Sequence, residues 1–417
     1  VFVMTGAGEL QEGQIWESLQ TAAHHRTGNL TVIVDFNKIQ TDKPVKEIID
    51  LSDLEKKFEL FGWHVARCDG HDFDALKAVF DEFADVGDRP KVLIADTIKG
   101  KGVSFMEGPV ALRDGGGFYA WHAGAPDDAS FEAGHAEILG RINEKMAEFD
   151  LEPLSLHVVE TREKGKTKLK DTAEKVVRAY GEALVELAER RRDIVVLDAD
   201  LAADCGLRPF EQRFPDRFVE NGIAEQDMVS VAGGLALQGY LPVVNSFGVF
   251  LASRANEQIY TNATEGTKII YVCHYAGLIP AGPGKSHQSL RDVSLFGALP
   301  NCTVIEPCNG IETKRALQWC VNEAKENCVL RLIISPSPRT ISLPADYDLR
   351  FGIGTVLRNG SDAVVFGYGP VLLHEALVAA ELLEEKGFSL KVIDMPWLNR
   401  VNADWLADAV GERDTVF

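Results

Sequence analysis

Several features are missing from this chain of 417 residues. No apolar run approaches the roughly 20 residues that a membrane-spanning helix needs. No basic-then-apolar segment of the secretory kind opens it. Its seven cysteines form no CxxC pair and no metal-finger spacing, and their number is odd. That argues against a disulfide framework and for a reduced, cytoplasmic protein with thiols scattered through its core. Positive charge is scarce: 43 Lys and Arg face 63 Asp and Glu, for a net charge of −20. Such a field repels phosphate backbones and anionic bilayers, so neither nucleic acid nor a membrane is expected as a partner. It does not exclude a phosphate-bearing cofactor held by local dipoles. There is no low-complexity tract and no short-period repeat.

What is present is a globular mix, 46 % hydrophobic and 25 % charged, long enough for two or three domains. Both ends read as interior pieces, because residues 1–4 look like a strand and Val416-Phe417 is an apolar pair. A fragment cut at both ends is the expectation. Apolar strands near 1–5, 30–35, 63–68 and 91–97 alternate with amphipathic runs at 14–25, 51–60 and 74–83. Near-continuous β-branched strands alternating with helices predict an α/β fold, a parallel sheet covered on both faces and doubly wound. A second series of the same kind follows, and a third α/β unit begins near Pro344 and is truncated. The expected domains are 1–150, a linker at 151–172 with a charged stretch at 160–168, then 173–343 and 344–417. Residues 98–126 are rich in glycine and read as a functional loop.

The first strand runs into Gly6-Ala7-Gly8-Glu9-Leu10-Gln11-Glu12-Gly13-Gln14-Ile15-Trp16-Glu17. A glycine turn between a strand's carboxyl end and a helix lets backbone N–H groups approach a diphosphate. After the next strand comes Val34-Asp35-Phe36-Asn37-Lys38-Ile39. There a side-chain amide and a backbone carbonyl can offer oxygen to Mg²⁺. Either turn alone is weak, since glycine turns are common punctuation.

Together these stretches resemble the thiamine-diphosphate motif of the transketolase family. Further stretches agree, in family order over nearly the whole chain. Leu197-Asp198-Ala199-Asp200-Leu201 and Gly222-Ile223-Ala224-Glu225-Gln226 resemble the pyrimidine side with its glutamate. Phe247-Gly248-Val249-Phe250, then Arg254, resembles the aromatic pocket of shorter microbial members. Ser286-His287-Gln288, Gly100-Lys101-Gly102 and Trp121-His122-Ala123 also match.

The resemblance implies a thiamine-diphosphate-dependent ketol transferase that passes a two-carbon unit from a ketose to an aldose. It implies a homodimer with shared active sites and small sugar substrates. Glu225 becomes the carboxyl that drives the aminopyrimidine tautomer, for which it must be dry and apolar-walled. His122 and His287 become catalytic. Gly6, Gly8, Glu12, Asn37, Ile39, Asp200, Ile223, Phe247 and Phe250 become cofactor contacts, with the Asn37 side chain and the Ile39 carbonyl as Mg²⁺ ligands. His274, His287 and Lys285 become substrate contacts. Glu12 and Glu17 would join a buried acidic link between two cofactors; solvated helix carboxylates are the plainer reading.

Some positions depart from the pattern. Ala7 stands where the family has a metal-ligating aspartate, which weakens or alters the Mg²⁺ site unless Glu9 or Asp35 supplies an oxygen. Val177 replaces an arginine, with Arg178 one step off its helix face, and Pro336 stands near the place of a second. Lys285 is read as a new anion contact, and Arg339 as a substitute from the loop. These changes predict a donor or acceptor other than an ordinary pentose phosphate. The rival readings are a 1-deoxyxylulose-5-phosphate synthase-like enzyme and a non-catalytic paralogue that serves as a binding subunit.

Overall fold

A computed structural model describes residues 1–154, 156 and 174–417. Most of the expected linker, including its charged stretch, lies outside the described residues. The chain divides into two compact units; Gly222–Ala224 belongs to the first, and the rest beyond the linker to the second.

In the first unit, strands β1 (Phe2–Gly6), β2 (Thr31–Phe36), β3 (His64–Asp69) and β4 (Lys91–Asp96) form a wholly parallel sheet in the order β1-β2-β4-β3. Side chains alternate across a strand. Val92 and Ile94 therefore pack with Leu19, Phe58 and Trp63 on one face. Leu93 and Ala95 pack with Val79 and Phe83 on the other. The covering helices start where polar caps permit: Asp53 accepts from Lys56 N before Leu54–Leu60, and Asp72 from Asp74 N and Ala75 N before Phe73–Ala84. The glycine-rich stretch contains a short helix, Gly108–Asp114. A 21-residue helix, Asp128–Glu148, follows it and was not expected. Only its Gly134 is buried, so its sequence shows little apolar periodicity.

The second unit carries six parallel strands in the order β6-β5-β7-β8-β10-β9. They are β5 (Ile194–Asp198), β6 (Phe218–Glu220), β7 (Leu241–Phe247), β8 (Ile270–His274), β9 (Cys302–Ile305) and β10 (Asn327–Leu332). All but the short β6 are wholly buried, because helices cover both faces. A smaller sheet of β11 (Thr355–Arg358), β12 (Ala363–Gly367) and β13 (Leu390–Asp394) has the order β11-β13-β12, with β11 antiparallel. The α/β class with two parallel sheets and a third, smaller α/β layer agrees with the sequence reading. In parallel sheets ligands gather at the carboxyl ends of strands, and the motif residues lie there.

Candidate functional site

Glu225 opens the helix Glu225–Leu237 and is 2 % exposed. Its Oε1 accepts from Arg254 Nη1 at 2.6 Å. Its Oε2 is buried and has no hydrogen-bond partner. The Arg254 guanidinium lies 4.2 Å from the Phe250 ring centre. Phe250 meets Phe247 at 5.5 Å and His287 at 5.4 Å. Phe247 also meets Tyr275 at 5.4 Å and His287 at 5.7 Å. Residues from the ends of β7 and β8, two helices and one loop thus form a continuous wall of carboxylate, guanidinium and rings. The expected apolar surround of Glu225 differs in one respect: a guanidinium forms part of it.

Gly222, in the left-handed region at φ 68°, makes the turn into the helix, and Ile223 is half-buried there. Asp200 is buried beyond β5, also left-handed at φ 58°, and its backbone N–H donates to Glu220 Oε1 at 3.0 Å. Burial and neighbouring Glu220 push the Asp198 carboxyl well above the usual carboxylate range. Its Oδ1 has no partner. Lys285 is exposed on the loop that carries His287.

His274, an expected substrate contact, pairs in register with Phe247 but is enclosed in the core. It is 0 % exposed, stacks edge-on against Tyr180 at 5.4 Å, and shares Asn245 Oδ1 with the Tyr180 hydroxyl. Desolvation lowers its pKa to about 3, so the ring is neutral. It ends a fully buried strand.

In the first unit the glycine turn is tight. A Cβ at Gly8 would lie 3.1 Å from the Gln40 side chain. The Glu9 carboxylate accepts from Gly6 N at 2.6 Å, and Ala7 N donates to Asp35 O at 3.2 Å. Asn37 Nδ2 donates to Asp35 Oδ2 at 3.0 Å, while Asn37 Oδ1 accepts from Ile39 N at 3.0 Å. The other Asp35 oxygen accepts from the Thr97 hydroxyl. Lys99 donates to the Gln40 carbonyl, lies 3.5 Å from the Ile39 carbonyl, and lies 2.9 Å from His122 Nδ1. Partial desolvation, then the Lys99 charge, lowers the His122 pKa. Glu12 is half-buried at the start of the helix Gly13–His24, and Glu17 is exposed.

Two residues escaped the sequence reading. Tyr275 looks like one more core aromatic after a strand, and only its contacts with Phe247 and His287 place it in the wall. Lys99 immediately precedes the matched Gly100 run, and only the fold brings it to Ile39.

These residues suit a heteroaromatic cofactor. The orphaned Glu225 Oε2 would be satisfied by a ring nitrogen that carries a proton, and Phe247 and Phe250 offer faces. A divalent cation fits less well. The Ala7 side chain offers no oxygen, and the Ile39 carbonyl already faces an ammonium. Asn37 Oδ1 and one facing carbonyl make a poor set for an octahedral ion.

Known proteins resemble the chain in three stretches. Residues 1–114 match the transketolase thiamine diphosphate binding domain, 174–333 the pyrimidine binding domain, and 352–417 the C-terminal domain. Transketolase-like protein 2 of Mus musculus is 32 % identical over 95 % of the chain and 62 % of its own length. Transketolase of Homo sapiens is 30 % identical over 94 % of the chain and 62 % of its own length. The chain therefore spans less than two thirds of these curated relatives. A Campylobacter jejuni transketolase crystal structure, at 21 % identity, shares the fold over 99 % of the chain and 69 % of its own, with a TM-score of 0.54.

Proposed function

Since the chain belongs to the transketolase family, we propose that the whole protein transfers a two-carbon ketol unit from a ketose to an aldose, using thiamine diphosphate. The match to the diphosphate and pyrimidine domains supports that cofactor. When bound, it supplies the electron sink for cleavage beside a ketose carbonyl. Glu225 Oε2 holds a proton at the cofactor's pyrimidine nitrogen, with Oε1 anchored by Arg254. Phe247 and Phe250 enclose the ring and exclude water. His287, against both rings, and His122, beside the cradle, move protons at the sugar oxygens. The Gly6–Gly8 turn, Asn37 and Ile39 face the diphosphate, with Lys99 as the nearby cation. Any Mg²⁺ site is altered by Ala7. The protein acts as a homodimer, one subunit's cradle completing the other's pocket.

The observation that carries this reading is the buried, unpartnered Glu225 oxygen, whose ion-pair partner Arg254 lies over the Phe250 ring. The substrate is not an ordinary pentose phosphate. Val177 is core and carries no charge, while Arg178 and Arg339 are engaged with Glu182 and Glu381, which leaves exposed Lys285 as the cation beside His287. Calorimetric titration of thiamine diphosphate into the full-length protein tests the cofactor. No heat at high excess would turn the reading toward a non-catalytic binding subunit, the alternative that Ala7 favours. A coupled assay tests the substrate: rapid ketol transfer from xylulose 5-phosphate to ribose 5-phosphate would overturn the unusual-sugar part. Turnover of pyruvate with glyceraldehyde 3-phosphate would replace ketol transfer altogether.

A further inference from the structure

Away from the candidate site, three ligand-type side chains converge in the second unit. A ligand atom from each of Cys308, Glu312 and Asp394 lies within 4.8 Å of the other two. All three residues are 0 % exposed. Cys308 follows β9, Glu312 lies in the first turn of the helix Gly310–Asn322, and Asp394 ends β13. Glu312 is oriented from two sides: the Cys308 backbone N–H donates to Oε2 at 2.7 Å, and the Tyr347 hydroxyl donates to Oε1. Asp394 has no such support. No donor from outside the cluster reaches either of its oxygens; only the Cys308 thiol and the Glu312 carboxyl face it.

Two carboxyls and a thiol facing one another in a dry interior are costly to charge. Among the described residues, the groups that act on Asp394 are Glu312 and Cys308, and neither is basic. A divalent cation would offset two of the three negative charges of the ionised groups and give Asp394 a partner.

We propose that Cys308 Sγ, a Glu312 oxygen and Asp394 form a structural zinc site. The soft thiolate selects zinc over magnesium or calcium. A second Asp394 oxygen or a water completes four-coordination, the number zinc prefers. Binding displaces the thiol proton, and any carboxyl proton, to solvent. The ion would tie the start of the helix Gly310–Asn322 to the end of β13, joining the six-stranded and three-stranded sheets within one unit. This does not depend on the reaction proposed above.

The test uses the full-length protein, stripped with a chelator and then titrated with zinc sulfate or cobalt chloride. The wild type should take up the ion stoichiometrically, show a sulfur-to-cobalt charge-transfer band, and melt at a higher temperature with zinc. Tyr347→Phe, which removes the outer donor, should weaken binding roughly 10–100-fold. Cys308→Ser should lose the cobalt band. Asp394→Asn should lose the zinc-dependent rise in Tm, while its metal-free form melts no lower than the wild type because a buried acid is gone. A wild type without the cobalt band would overturn the site. So would an equal zinc-dependent rise in the Cys308→Ser and Asp394→Asn proteins. If those variants fail to fold, the wild-type cobalt spectrum decides.

Discussion

Glu225 and Arg254 share one ion pair, 2.6 Å from Oε1 to Nη1, and Oε2 is left buried with no donor. Arg254 thereby restrains the carboxylate in rotation. Glu225→Gln preserves the shape but removes the proton-holding group. Turnover should fall roughly 10²- to 10⁴-fold, with cofactor affinity changed much less. Steady-state kinetics beside calorimetric titration separates the two quantities. An unchanged turnover number would remove Glu225 from the reaction.

Arg254→Met probes the same pair through stability. It leaves the Glu225 carboxylate, 1 % exposed in its side chain, without its cation. Breaking a buried pair from one side costs about 3 kcal/mol, reduced here because the Arg254 side chain is 38 % exposed. Denaturant unfolding should show a loss of about 1–2 kcal/mol. Saturating thiamine diphosphate should stabilise wild type and variant alike by mass action and leave that difference in place.

Ala7 is 3 % exposed in the glycine turn, and the Ile39 carbonyl expected to face the cation lies 3.5 Å from Lys99 Nζ. Ala7→Asp adds the missing anionic oxygen. Thiamine diphosphate should then bind at least about tenfold tighter in magnesium than in EDTA, the scale of one charge-assisted contact. The wild type should show a smaller difference. Calorimetry in the two buffers checks this, and equal responses in both proteins would place the diphosphate elsewhere.

His274 makes acid stability measurable. Its folded pKa is lowered to about 3, against about 6.5 unfolded. The unfolded chain therefore binds more protons between those values. This contribution is fully present above about pH 6.5 and is lost as the pH falls toward the folded pKa. Between pH 6.5 and 5 that amounts to at most about 2 kcal/mol. His274→Asn should flatten this acid limb in urea unfolding at pH 7 and 5. A limb as steep as in the wild type would assign the acid sensitivity to other groups.

Tyr180 donates from its hydroxyl to Asn245 Oδ1 at 2.6 Å inside the same core. Tyr180→Phe should cost about 1–2 kcal/mol, read by thermal or chemical denaturation. Cofactor binding should be untouched.

Much of the fold was legible because parallel strands buried on both faces must be apolar throughout. That pattern marks β2, β4, β5, β7, β8 and β10 directly. It misses β6, whose three residues are only half-buried, and β11, which is antiparallel and partly exposed. It also misses the helix Asp128–Glu148, which rests on an aspartate cap rather than an apolar stripe.

The chain's own order of residues determined which chemical groups stand at the strand ends: Gly6 and Gly8, Asn37, Glu225, Phe247 and Phe250, and His287. It did so because glycine turns, helix starts and buried strands are local demands that local sequence must meet. Tertiary structure alone decided which of those groups meet. It set Tyr275 and His287 against Phe247, brought Lys99 to the Ile39 carbonyl, withdrew His274 into the core, and gathered Cys308, Glu312 and Asp394. The physical reason is that contacts between residues far apart in the chain depend on crossover paths and side-chain direction, which no short stretch of sequence encodes.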